Sequence, residues 1–311
     1  MITSSRPFNR RALSVLSAVA VLAAAGCGGG SNPVAPAGSA SASGAANTDA
    51  IKVGSADFSE SVLLAEIYAG ALRAKGINVT TSLNIGAREA YLKGLSDGSI
   101  NLIPEYTGAL ALFYNKNFAQ TDATKVYTEL QSLLPAELTI LDKSAAEDND
   151  SMTVTNQTAQ KYNLATISDL GPVAKDLVLG APPEFTSRAQ GVPGLAKTYG
   201  LTFKTFRALK GQALIQALKN GQVDVANVFT TDPAIQANGF VALQDDKKLF
   251  GSQNIVPLIA KKAATPAVTQ ALNAVSAKLT TENLRAMLTK VDVEHQDAKA
   301  VAAEWLKTNL G

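Results

Sequence analysis

The chain is predicted to be an α/β protein of two lobes, each a mostly parallel sheet flanked by helices, joined by two hinge crossings. Three observations predict this. From residue 51 onward, short β-branched runs alternate with helical patterns, as in strand–helix–strand units. One pattern then occurs twice: Leu95, Gly98, Ile100, Asn101, Leu102, Tyr106 and Thr107 are matched by Leu218, Gly221, Val223, Asp224, Val225, Phe229 and Thr230, at a constant offset of 123 positions. That offset is too long for a solenoid repeat and points to two lobes of similar build. Finally, the polar stretches Ala145 to Ser151 and Gln244 to Asn254 each lie between short strands and read as passages from one lobe to the other.

In chain order, Arg6, Arg10 and Arg11 precede an apolar run from Ala12 to Ala25 that ends in Gly26-Cys27. A basic start, a short apolar core and small residues at a cleavage point describe a secretory signal over residues 1–26. Small residues directly before a cysteine resemble a bacterial lipobox, so Cys27 is expected to be lipidated and to hold the protein at a membrane. It is the one cysteine of the chain, which excludes an internal disulfide. Residues 27–50 are rich in Gly, Ser, Ala, Pro and Asn and cannot bury enough surface to offset their ordering entropy. They read as a flexible tether reaching roughly 25–30 Å. Removing the three signal arginines from 28 basic residues leaves 25 against 26 acidic, a net charge of −1, so no basic surface suggests nucleic acid.

The first lobe is assigned residues 51–148 and 254–311, and the second residues 149–253. Ile51 to Gly54 reads as a strand, followed by a helix from Ser61 with Leu64, Ile67, Tyr68, Ala71 and Leu72 on one face and a stop near Gly76. Val79 to Ile85 is a second strand, and Gly86-Ala87-Arg88-Glu89 opens a helix ending at Gly98. Ile100 to Ile103 is a buried strand expected to stop at Pro104, with a helix from Ala109. Leu138 to Leu141, Met152 to Thr155, Leu177 to Gly180, Val241 to Leu243 and Ile255 to Ile259 read as further strands. Helices over Ala267 to Leu279, Glu282 to Leu288 and Asp297 to Leu306 are expected to return to the first lobe, with Asp297 as an N-cap and Trp305 as an anchor. In open α/β sheets ligands sit beyond the carboxyl ends of the strands. Phe58, Tyr106-Thr107, Phe185 and Phe229-Thr230 all fall there.

Val53 to Glu60, Gly86 to Glu89, Pro104 to Gly108, Arg188 to Leu195 and Phe229 to Asp232 resemble, in order, the substrate-binding proteins of ABC importers for quaternary amines such as glycine betaine, choline and carnitine. The resemblance covers the whole folded part. It implies the two-lobed type II periplasmic-binding-protein fold, closing on a solute and delivering it to membrane permease subunits. A trimethylammonium group is recognised among aromatic faces, at roughly 0.5–2 kcal/mol per ring, and a carboxylate by a fixed guanidinium. By the resemblance Tyr106 is a cage ring, Asp150 an acid facing the ammonium and Arg188 the carboxylate partner. The pattern also departs from the family: Met152, Phe229 and Gln253 stand where three cage tyrosines are expected, and Ala109 replaces a hydroxyl residue. Such a box also suits a larger or non-quaternary polar solute, for example an ergothioneine-like betaine.

The expected ligand site is therefore Phe58, Tyr106, Thr107, Asp150, Met152, Phe185, Arg188, Phe229, Thr230 and Gln253. With one histidine, His295, in a polar stretch and no free cysteine after lipidation, a His/Cys metal site is excluded and a Ser-His-Asp triad has no good candidate. No G-x-x-x-x-G-K-[ST] occurs, so the chain is not the ATPase subunit. A monomeric solute receptor without cofactor is expected, rather than a surface enzyme of the same fold.

Overall fold

The computed structural model describes residues 50–311; the predicted signal segment, Cys27 and the tether up to residue 49 lie outside the described residues. Among the described residues no helix is long and apolar enough to cross a membrane.

The first sheet runs β2-β1-β3-β10-β4, from β1 (Ile51–Gly54), β2 (Val79–Ser82), β3 (Leu102–Tyr106), β4 (Leu138–Ile140) and β10 (Ile255–Ala260). The second runs β7-β6-β8-β5-β9, from β5 (Asp150–Thr155), β6 (Val178–Ala181), β7 (Thr205–Ala208), β8 (Val225–Phe229) and β9 (Phe240–Leu243). The two orders are the same arrangement used twice, and β3 and β8 hold the central place in each. Their bounds differ by the 123 positions of the sequence echo. Parallel pairing is confined to three strands per lobe, β2-β1-β3 and β7-β6-β8. The strands arriving from a crossing, β10 and β5, pair antiparallel on both sides, so each sheet is more evenly mixed than the sequence suggested.

Helices α1 (Ser59–Ala74), α2 (Arg88–Asp97), α3 (Thr107–Tyr114) and α4 (Ala123–Leu133) cover the first sheet. α5 (Asn156–Tyr162), the single turn α6 (Val192–Gly194), α7 (Gly211–Lys219) and the short α8 (Ala234–Ala237) belong to the second lobe. The closing helices α9 (Pro266–Lys278), α10 (Thr281–Leu288) and α11 (Ala298–Leu310) return to the first lobe, where Leu272, Leu284 and Trp305 join the core around α1. The Asp297 carboxylate caps α11 by accepting from the Ala300 N–H at 2.9 Å.

Pro104 does not end its strand. It lies inside β3 directly opposite Pro257 of β10, so two missing N–H donors coincide at one register position instead of interrupting two. β3 continues to Tyr106, and α3 starts at Thr107, earlier than the apolar run from Ala109 implied.

The crossings run side by side, with a bridge between Glu147 and Asn254. Each is pinned by the threonine of the repeated aromatic-Thr pair. Thr107 donates its N–H to the Asn254 carbonyl at 3.0 Å, and its hydroxyl accepts from the Asn254 N–H at 3.1 Å. Thr230 donates its N–H to the Asn149 carbonyl at 2.9 Å, and its hydroxyl accepts from the Asn149 N–H at 3.0 Å.

Candidate ligand-binding cleft

The carboxyl ends of β1, β3, β6 and β8 converge on one cavity of about 180 Å³ between the lobes. That is below the roughly 300–1,000 Å³ of sites for drug-sized molecules and suits a small metabolite. Three rings meet at it. Phe58, the residue before α1, stacks on Tyr106 with ring centroids 6.3 Å apart and tilts against Phe229 of the other lobe at 5.3 Å. Phe58 is therefore the central ring, flanked by Tyr106 and Phe229, rather than those two facing each other directly. The antiparallel register sets Asp150 opposite Phe229, and the Asn227 amide donates to the Asp150 carboxylate at 2.9 Å.

Beneath the rings the lobe-one wall is ionic. Arg88 grips Glu105 in a two-point pair, Nε to Oε1 at 2.8 Å and Nη2 to Oε2 at 2.9 Å, and the Tyr91 hydroxyl donates to Oε1 at 2.7 Å. Glu105 is wholly buried. The seam between the lobes is carboxyl-rich. The Glu60 carboxyl accepts from the Tyr106 hydroxyl and from the Thr231 hydroxyl, both at 2.6 Å. Burial pushes Glu60 up to about 7, against the lowering effect of its hydrogen bonds to Thr231 and Tyr106. Burial also raises Asp148, with the Glu60 charge adding to it, and burial raises Asp150. At the cleft mouth Lys210 of lobe two pairs with Asp57 of lobe one. Arg188 lies 3.5 Å from Glu89 of lobe one and 3.8 Å from Glu184 of its own lobe.

The family described as the substrate binding domain of ABC-type glycine betaine transport system matches residues 49–308. The chain belongs to this family. A glycine-betaine-binding protein of Pseudomonas aeruginosa is 27% identical over 280 residues, covering 86% of this chain and 90% of that protein. A carnitine transport binding protein of Listeria monocytogenes is 26% identical, with 86% and 89% covered. A crystal structure described as a glycine betaine/carnitine/choline ABC transporter superposes with a TM-score of 0.67 at 26% identity, over 83% of this chain and 98% of that one. Members of the family are extracytoplasmic solute-binding proteins of ABC importers, not enzymes, and this chain has the two-lobed architecture of type II periplasmic binding proteins.

Within that family frame, Phe58, Tyr106, Asp150, Phe185, Arg188, Phe229 and Gln253 line the cleft. Met152 does not. It shares a strand face with Asp150 but sits two residues deeper, roughly 6–7 Å further in, within the lobe-two core. Thr107 and Thr230 are hinge pins, their hydroxyls spent on the crossings. Gln253 is a wall, not a free amide: its Oε1 accepts from the Ala109 N–H at 2.8 Å and its Nε2 donates to the Phe250 carbonyl at 2.7 Å. Gly108 makes room for it, since a Cβ there would stand 2.6 Å from the Ser252 carbonyl and 2.9 Å from Gln253 Nε2. Arg188 reaches the cleft from a tight turn that Gly191 permits, where a Cβ would collide with the Phe185 carbonyl at 1.9 Å.

The sequence reading missed Glu60, Asp148, Asn227, Lys210 and the Arg88–Glu105 pair. The available signals were a carboxyl in the first turn of a helix that follows a strand end, and an acid inside a crossing.

Proposed function

We propose that the chain is the receptor for a small solute carrying a quaternary ammonium group, of the choline, glycine betaine or carnitine kind, which it delivers to its permease. The supporting observation is the contact of Phe58 with Tyr106 of its own lobe and Phe229 of the other. Three aromatic faces at a seam that also carries Glu60, Asp148 and Asp150 suit a cation that cannot donate hydrogen bonds. The cations lining the cleft are already engaged: Arg88 by Glu105, Lys210 by Asp57, and Arg188 by Glu89 and Glu184. An anionic end of the ligand would reach Arg188 by displacing Glu89.

The test is calorimetry with choline, glycine betaine and carnitine. At least one should bind, and Phe58→Ala should weaken it by about 1–2 kcal/mol through lost cation–π contact, with more from lost burial. Absence of binding by all three, or full affinity in Phe58→Ala, overturns the reading. A second reading, a larger betaine with hydrogen-bonding groups, draws on the Asn227 amide and the buried Gln190 at the cleft. Tighter binding of ergothioneine than of choline in the same titrations would select it.

A further inference from the structure

Glu60, in the first turn of α1, and Asp148, in the first crossing, line the same cavity and meet at Thr231, whose hydroxyl donates to Glu60 and whose N–H donates to Asp148. Both oxygens of Glu60 take hydroxyl donors, from Tyr106 and Thr231. Asp148 Oδ1 accepts the Thr231 N–H at 3.1 Å and the Thr230 hydroxyl at 3.4 Å. Asp148 Oδ2 is buried, and among the described residues no donor reaches it. A buried carboxylate oxygen without a donor is unfavourable, and two ionised carboxylates side by side in a desolvated seam more so. Two things can relieve both penalties. One is a proton shared between the two carboxyls; the other is a positive charge brought into the cavity they line.

We propose that Glu60 and Asp148 form a cation-for-proton exchange subsite, holding one proton between them in the empty cleft and yielding it to solvent when the positive head of the ligand arrives. The inference rests on the cleft being the ligand site, and it adds a stoichiometry that the ligand class alone does not imply. The surroundings favour it. Asp150, Asp232 and Asp292 add negative charge around the pair, while Arg88, Arg188 and Lys210 are held by other acids. Asp232 raises Glu60, and Asp150 raises Asp148. A head bearing an N–H would also give Asp148 Oδ2 its missing donor.

Proton and cation compete, so affinity should rise with pH up to about 7, where Glu60 titrates, and level off above it. The rise is at most about tenfold per pH unit for one exchanged proton. Calorimetry on the purified full-length chain at pH 6.5, in buffers of different ionisation enthalpy, counts protons directly. Choline, glycine betaine and dimethylethanolamine are the probes, the last carrying an N–H. Release of about three quarters of a proton per ligand is expected for an acid titrating near 7. Glu60→Gln and, as a second variant, Asp148→Asn should each abolish the release and flatten the affinity–pH curve between pH 5.5 and 8. Binding without proton release, or release unchanged in both variants, overturns the exchange while leaving the ligand class standing. Failure of every probe to bind overturns the exchange and the ligand class together.

Discussion

The tips of β3 and β8 follow one pattern at 123 residues' distance, and what they share differs sharply from what they do not. Both end in an aromatic residue that lines the cleft, Tyr106 and Phe229, followed by a threonine that pins a crossing. Each pin holds the crossing that enters its own lobe: Thr107 the one into lobe one, and Thr230 the one into lobe two. One residue earlier the lobes part company. Glu105 in lobe one corresponds to Val228 in lobe two, Tyr91 to Leu214, and Arg88 to Gly211. All six positions except Glu105 line the cavity. The repeated frame thus supplies hinge and rings twice, while the ionic support is built once. At these three positions a ligand meets a buried ion pair with its tyrosine on one side and apolar residues on the other.

Breaking the polar side of this comparison should have the largest effect. Arg88→Ala leaves Glu105 buried without its cation, and removal of one partner from a buried pair costs about 3–5 kcal/mol. Urea unfolding should show that loss. Replacing the polar set by apolar residues, as Arg88→Met, Tyr91→Leu and Glu105→Val together, should recover most of it; Leu and Val are as in lobe two, and Met keeps the volume of Arg88. An apolar set of similar volume replaces a buried ion pair at little net cost. A loss below about 1 kcal/mol in Arg88→Ala, or a triple variant worse than the single, would show that the polar set is not an independent insert in a shared frame.

The next effect sharpens the seam, where lobe one's Glu60 meets lobe two's Thr231. Glu60 is raised from 4.5 to about 7, chiefly by burial. The folded protein therefore holds a proton between those values that the unfolded chain has released. The stability this contributes is fully present below about 4.5 and is lost as pH rises through about 7. For Glu60 the window is worth on the order of 3 kcal/mol, and Asp148, raised in the same direction, adds with the same sign. Melting temperature of the ligand-free protein should fall from pH 5 to 7.5, and Glu60→Gln should flatten the curve. A wild-type curve that climbs over this range would contradict the buried, protonated seam.

Much of the frame was legible because a repeat compares the chain with itself. Seven matching residues located β3 and β8, and strand ends marked the cleft. Pro104 misled because the rule against proline in a central strand assumes a lone proline, and Pro257 stands 153 positions away. Met152 misled because resemblance assigns a position along the strand, whereas exposure depends on depth below the strand's tip. Thr107 and Thr230 were placed with the ligand because a hydroxyl beside an aromatic reads the same whether it faces a solute or a backbone amide. Glu60 and Asp148 escaped notice for another reason. A carboxyl in a helix's first turn and an acid in a polar crossing are ordinary surface features, and only the closeness of the lobes buries them together.

The smallest expected effect lies at the rim, where the lobes touch through charges that differ from both the seam and the wall. Lys210 is 56% exposed and Asp57 29%. Exposed pairs contribute about 0–1 kcal/mol, because water already screens them and two long side chains must be held still. Lys210→Ala should therefore relax closure only slightly, weakening whichever solute binds in the calorimetric titrations by at most about fivefold at low salt. The deficit should shrink in 1 M salt, where the screening length falls to about 3 Å. A buried contact would behave differently, since salt hardly reaches it. A loss greater than tenfold that persists in 1 M salt would move Lys210 from the rim into the ligand's own shell.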